Sequence, residues 1–284
     1  ANAAYPLILD PEVRTAQETN AIVDTYVREG YTTDYSSAAE LWITNTPYYG
    51  NRISYLKVTS LPSLGSNHII TEASIHVRPA ATHSVTDGIP LLVKEVLGSW
   101  DPSLITYANQ PALGDVYQDS WLVPSSSTAW CELDITSLAQ KWYMGTNYGV
   151  AFVPYTTGTT TLRLQSMNGT SKPYFVVNYS SLAGLEDYLS YDAQPVGRGG
   201  TGYVSLHNGN MVFAHSDTVM NGARMPVSVT HYYNSCDADK NDFNMGYGWR
   251  TNLHQTLHKE LISSKVYYVY TDGDGTEHYF ESSN

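Results

Sequence analysis

Alternation of apolar and polar side chains with a period of two, interrupted by turn-forming residues, is the feature that most restricts how this chain can fold. Lys265–Phe280 shows it plainly. Val266, Tyr268 and Tyr270 alternate with Tyr267, Val269 and Thr271, and Asp272-Gly273-Asp274-Gly275 then supplies residues that tolerate positive φ at a hairpin tip. Met225–Ser235 repeats the pattern, with Val227, Val229 and His231 alternating with Ser228, Thr230 and Tyr232. Such a chain folds as strands joined by tight turns. The composition leans the same way: 24 Tyr and 21 Gly, against only 15% charged residues, argue for an all-β protein. With 284 residues and 42% hydrophobic content, the chain can build one large or two ordinary cores.

The strand candidates run through the N-terminal part as Ala21–Val27, Glu40–Thr44, Arg52–Val58, His68–Ala80, Pro90–Val96, Ala129–Ile135, Tyr148–Tyr155, Thr160–Ser166 and Pro173–Ser180. A short helix is expected over Thr136–Gly145, started by Asp134 or Thr136 and ended by Gly145. Asp10-Pro11-Glu12 reads as a helix start or a turn. Gln194–Thr201, with Pro195 and a run of glycines, is the strongest break in the chain. A hairpin is expected beyond it, turning at His207–Asn210.

The net charge of −12 repels a phosphate backbone, so nucleic acid is excluded as a partner. No apolar run approaches the ~20 residues that span a bilayer. The two cysteines, Cys131 and Cys236, read as a buried thiol and a loop thiol. No nucleotide-binding glycine loop, serine elbow or zinc-protease pattern occurs, and the chain reads as non-enzymatic. Asp272, Asp274 and Glu277 miss the spacing of a calcium loop and read as hairpin chemistry; the pair His254 and His258 has no further ligand at metal spacing.

Two resemblances organise these pieces. The series D-T-Y-V, Y-Y-G-N-R-I-S-Y-L-K-V, I-T-E-A-S-I-H-V, L-D-I-T-S-L-A-Q-K-W, N-Y-G-V-A-F and K-P-Y-F-V-V-N-Y over Pro6–Ser181 resembles the DNRLRE domain, a β-sandwich related to carbohydrate-binding modules. The arginine-rich strand of that family is reduced here to Arg52 with Lys57. The later series G-Y-V, N-G-N, P-V-S-V, Y-N-S, G-Y-G-W-R and D-G-D-G-T-E-H-Y-F resembles the opening strands of an Rhs/YD-repeat shell, as in wall-associated proteins and teneurins. The resemblances imply a jelly-roll β-sandwich over 1–181, a linker over 182–200 and a smaller hairpin-rich β-domain over 201–284. They also imply a piece of a larger secreted or surface-attached bacterial protein, followed by the rest of the shell.

A sandwich of this kind binds sugar by stacking an exposed aromatic ring on the apolar face of the pyranose, with amides or carboxylates bonding the hydroxyls. Tyr48 and Tyr49 in a Pro/Gly loop, Tyr107 beside Asn109 and Gln110, and Trp121 in a presumed loop are the candidates for contact with a polysaccharide or cell-wall glycan. Trp100, Trp130, Trp142 and Trp249 read as packing residues. A structural calcium ion is expected in the sandwich, with Asp24 and Asp134 as its carboxylates; the competing role for them is capping a turn or the Thr136 helix. Two other functions fit the same residues: a purely structural cap or spacer of the shell, and the accessory module of a polysaccharide-degrading enzyme.

Overall fold

In the computed structural model, residues 12–15, 21–64, 68–83, 85–126, 128–155, 161–181, 183–186, 189–220, 226–262 and 265–282 are described. The protein is almost entirely β. In chain order the strands are β1 (Glu12–Arg14), β2 (Ile22–Arg28), β3 (Glu40–Thr46), β4 (Gly50–Val58), β5 (His68–Val77), β6 (Ile89–Val96), β7 (Leu113–Val123) and β8 (Cys131–Asp134), then the helix α1 (Thr136–Tyr143). After it come β9 (Val150–Val153), β10 (Thr161–Gln165), β11 (Tyr174–Ser181), β12 (Tyr191–Pro195), β13 (Thr201–Ser205), β14 (Met211–Met220), β15 (Val227–Asn234), β16 (Trp249–Thr251), β17 (Thr256–Ile262), β18 (Lys265–Thr271) and β19 (Glu277–Glu281). Among the described residues no helix is long and apolar enough to cross a membrane.

The chain divides into two units. One comprises Val13–Ser63 and Ile70–Asn178; Leu64–Ile69 and Tyr179–Asn284 belong to the other. The first is a β-sandwich of a four-stranded sheet, β1-β11-β5-β8, and a seven-stranded sheet, β10-β3-β4-β9-β6-β7, with β2 also paired to β4. The expected alternation supplies its core. Leu41 and Ile43 on β3 and Leu162 and Leu164 on β10 flank less buried residues, while Leu91, Leu92 and Val93 on β6 are buried in succession. Leu138, Ala139 and Trp142 turn the apolar stripe of α1 inward.

Gly149 shows how closely these strands approach. It takes φ +81°, and a Cβ there would lie 2.2 Å from the Leu56 carbonyl oxygen and 2.9 Å from the Lys57 Cα. Gly145, at φ +107°, has no atom within 4 Å of the same point. Gly149→Ala therefore adds a backbone collision to the left-handed strain that both sites share, and is expected to cost roughly 2–5 kcal/mol, against about 1–2 kcal/mol for Gly145→Ala. Urea unfolding of the two variants checks this. Equal midpoints would refute the collision.

The second unit carries the sheets β12-β13-β14-β15-β16 and β17-β18-β19. Its motifs are held by a buried polar lattice. Asn210 Oδ1 accepts from the Ser235 hydroxyl at 2.7 Å and the Cys236 N–H at 3.1 Å, while its Nδ2 donates to the Ala183 carbonyl at 3.0 Å. Asn234 Nδ2 donates to the Asp274 carbonyl at 3.1 Å. The Asp274 carboxylate accepts from the Leu185 N–H at 3.0 Å and the Thr276 hydroxyl at 2.7 Å. Asp272-Gly273-Asp274-Gly275 thus forms the β18–β19 tip, and both carboxylates are used by the turn.

Three expectations are corrected. Residues 191–195, read as linker, form β12, and the Gly-rich break is the turn that pairs Pro195 with Thr201. Trp121, read as a loop residue, lies on the eleven-residue strand β7. That strand escaped notice because exposed residues dominate both its faces and register shifts opposite Val93–Val96 disturb its phase. Glu12, read as a helix start or turn, begins β1, while Asp10 and Pro11 lie outside the described residues.

Candidate functional site

At one end of the seven-stranded sheet, β10, β3 and β4 bring together residues far apart in sequence. Arg163 faces Trp42, and Thr161 faces Thr44, across β10 and β3. Arg52 faces Thr44 across the β3–β4 hairpin. Directly opposed residues share a face, so the two arginines and the indole stand on one side, away from buried Leu41, Ile43, Leu162 and Leu164.

The guanidinium of Arg52 lies 4.6 Å from the Trp42 ring centre and 5.5 Å from that of Tyr49; that of Arg163 lies 5.4 Å from Trp42. Tyr49 stands 6.2 Å from Trp42, and Tyr48, 83% exposed, packs edge-on against Tyr49 at 4.8 Å. The Thr46 hydroxyl accepts the Tyr49 N–H at 3.0 Å and so fixes the turn that carries both tyrosines. Trp42, Tyr49, Thr161 and Arg163, with Thr82 and His83, line a cavity of about 370 Å³. Both nitrogens of His83 are engaged, Nε2 with the Val123 carbonyl at 3.0 Å and Nδ1 with the Val85 N–H at 3.3 Å, so it offers the cavity its ring rather than a hydrogen bond.

The two guanidinium groups differ in their surroundings. Arg52 is only 7% exposed, has no carboxylate ion pair among the described residues, and its buried Nε has no hydrogen-bond partner. Burial first, and then neighbouring Arg28, lower its affinity for the proton, and the rings of Tyr26, Trp42 and Tyr49 are what faces its charge. Arg163 holds Glu40 at 3.3 Å, with both side chains about a third exposed. Such a surface pair is worth about 0–1 kcal/mol, so a ligand can displace it cheaply.

The residues singled out from sequence do not converge. Tyr48 and Tyr49 belong to this cluster. Tyr107 lies in a turn, packs on the cluster around Tyr55 and Val96, and its hydroxyl accepts from Asn51 Nδ2 at 2.8 Å. Trp121 stands on β7 at the other end of the same sheet, 38% exposed. The sequence reading passed over Trp42 and Arg163. The available signal was phase: in ELWIT and TLRLQ both occupy the polar step between two buried aliphatics.

The two candidate calcium carboxylates stand on different sheets. Asp134 Oδ1 accepts the Thr136 N–H at 2.8 Å and the Thr136 hydroxyl at 2.6 Å, in the turn that precedes α1, whose N-cap position is Ile135. Asp24 is 4% exposed and accepts the Met167 N–H at 2.7 Å; burial pushes its carboxyl up to about 7, against the lowering effect of that bond. Among the described residues no three His, Cys, Asp or Glu side chains converge as metal ligands.

Comparison with known families assigns both parts of the chain. The model of the domain of unknown function DUF6531 matches residues 201–280, and that of carbohydrate-binding module family 96 matches residues 15–179. No curated protein matches the chain. With its match spanning more than half of the sequence and the whole Trp42–Arg52–Arg163 cluster, the chain belongs to carbohydrate-binding module family 96.

Proposed function

We propose that this is a non-catalytic adhesion module that holds a polysaccharide or cell-wall glycan on the Trp42–Tyr49–Arg163 face. We place it in a secreted or surface-attached bacterial protein, ahead of a YD-repeat shell, as the likeness of its motifs to DNRLRE and Rhs/YD-repeat chains suggests. The observation that carries the binding site is a cavity walled by an indole and a phenol, with two guanidinium groups beside the rings. A pyranose stacks its C–H face on such rings, and the guanidinium groups donate to its oxygens.

The test is retention of the whole chain on insoluble polysaccharides and peptidoglycan, with and without EDTA. Trp42→Ala is expected to weaken retention by about 10- to 100-fold, the effect of removing a central aromatic contact. Trp121→Ala, at the far end of the sheet, is expected to leave it unchanged. EDTA sensitivity would support the calcium ion that the sequence suggested near Asp24. Loss of binding with Trp121→Ala alone would move the site. Absence of retention on every matrix, from folded protein, would leave a structural cap or spacer.

A further inference from the structure

The sheets of the second unit end in strands that are closed to further pairing to different degrees. β12 carries Pro195, which has no N–H to offer a neighbour, and β16 has only three residues. β17 is not blunted in either way. It runs for seven residues without a proline and pairs with β18, from Thr256 opposite Thr271 to Ile262 opposite Lys265, without a bulge. Among the described residues β18 is its only partner strand.

Register gathers apolar side chains on one face of this sheet. Leu257 faces Tyr270, Lys259 faces Tyr268 and Leu261 faces Val266, while Phe280 on β19 faces Tyr268 from the other side. Leu257 is 67% exposed, Leu261 70% and Tyr268 42%. An unpaired edge beside an exposed apolar face is the geometry that one more strand completes.

The residues of β17 select that strand. Thr256-Leu257-His258-Lys259-Glu260-Leu261-Ile262 is self-complementary when reversed about Lys259. In an antiparallel pair with a second copy in that register, Leu257 stands opposite Leu261 and His258 opposite Glu260, each twice. Opposed residues share a face, so the leucine pairs extend the apolar face and the His–Glu pairs lie on the other. Lys259 meets its own counterpart on the axis, and its long stem lets the two ammonium groups diverge into water. Moving the axis by one residue either way sets His258 or Glu260 against itself and breaks both leucine pairs. We infer that a second copy of this chain pairs antiparallel with β17 about a two-fold axis at Lys259, joining two three-stranded sheets into one of six.

Sedimentation velocity of the whole chain tests this from about 1 to 200 µM, the range in which small interfaces associate. Reducing buffer keeps Cys236 from forming an interchain disulfide, and physiological salt screens the net charge of −12 on each copy. A reversible monomer–dimer equilibrium is expected, with the β17 amides better protected from hydrogen exchange at high concentration. Leu257→Lys with Leu261→Lys, both at exposed positions, should weaken it by at least about tenfold. His258→Glu sets like charges opposite one another and should weaken it about fivefold; adding Glu260→Lys restores opposite charges and should recover most of the loss. Circular dichroism checks that each variant is folded. A monomer at every concentration, oligomers that grow beyond two, an unchanged dimer in the leucine variant, or no recovery in the charge-swapped variant would overturn the inference.

Discussion

Asp24→Asn is expected to remove a large part of the dependence of stability on pH. Asp24 is buried on β2, and its only described hydrogen bond comes from the Met167 N–H. Burial raises its carboxyl from 3.8 in the unfolded chain to about 7 in the folded protein. The folded state therefore holds the proton more tightly. Below about pH 4 the group is protonated in both states and costs nothing. As pH rises from about 4 to 7 the unfolded chain ionises first, and stability falls until the folded carboxyl ionises too. A shift of that size amounts to about 4 kcal/mol lost between pH 4 and pH 8. Asparagine keeps an acceptor for Met167 and cannot ionise, so the variant should exceed the original protein in stability at pH 8 by a few kcal/mol and match it near pH 4. Denaturant midpoints across that range measure the difference, and parallel profiles would refute the buried-acid account. Added calcium provides a second arm: a metal at Asp24 would restore the original protein at high pH and leave the asparagine variant unaffected.

Asn210→Ala is expected to destabilise the C-terminal unit by about 3–5 kcal/mol. The substitution takes the Asn210 bond from the Ser235 hydroxyl and the Ala183 carbonyl and one of two acceptors from the Cys236 N–H, at a position only 4% exposed. Each buried group left without a partner costs about 1–3 kcal/mol; the Cys236 N–H keeps a second acceptor in Asn234 Oδ1, which holds the sum down. Asn210→Asp retains the acceptor but loses the bond to Ala183 and buries a carboxylate beside that carbonyl, so at neutral pH it should be destabilised at least as much as the alanine variant. Hydrogen exchange of the amides of β14 and β15 reports on this unit directly. Alanine and aspartate variants of equal, near-original protection would show that the lattice is dispensable.

This lattice also explains why part of the second unit was legible as motif and not as chemistry. N-G-N, Y-N-S and D-G-D-G-T look like separate turn signals in sequence, and each is a turn. Their asparagines and aspartates are fixed together because the Asn210, Asn234 and Asp274 side chains bond across the unit to one another's segments. Sequence spacing carries no trace of that. The binding face was half legible for a related reason. Tyr48 and Tyr49 announced themselves as aromatics in a turn, whereas Trp42 and Arg163 sit inside strands whose aliphatic neighbours drew the reading toward packing.

The amino-acid order alone determined the all-β class, nearly every strand of the sandwich, the single short helix and the hairpin tips. Each of these follows from side-chain alternation and turn chemistry within a few consecutive residues. Tertiary structure alone decided which polar-phase residues meet. Register sets Arg163 against Trp42 although 120 positions separate them in the numbering. It also sets Trp121 on the edge strand β7, apart from the β3–β4 turn that carries Tyr49, and leaves Asp24 only 4% exposed. Strand order and depth of burial depend on contacts between distant segments, and no local pattern encodes them.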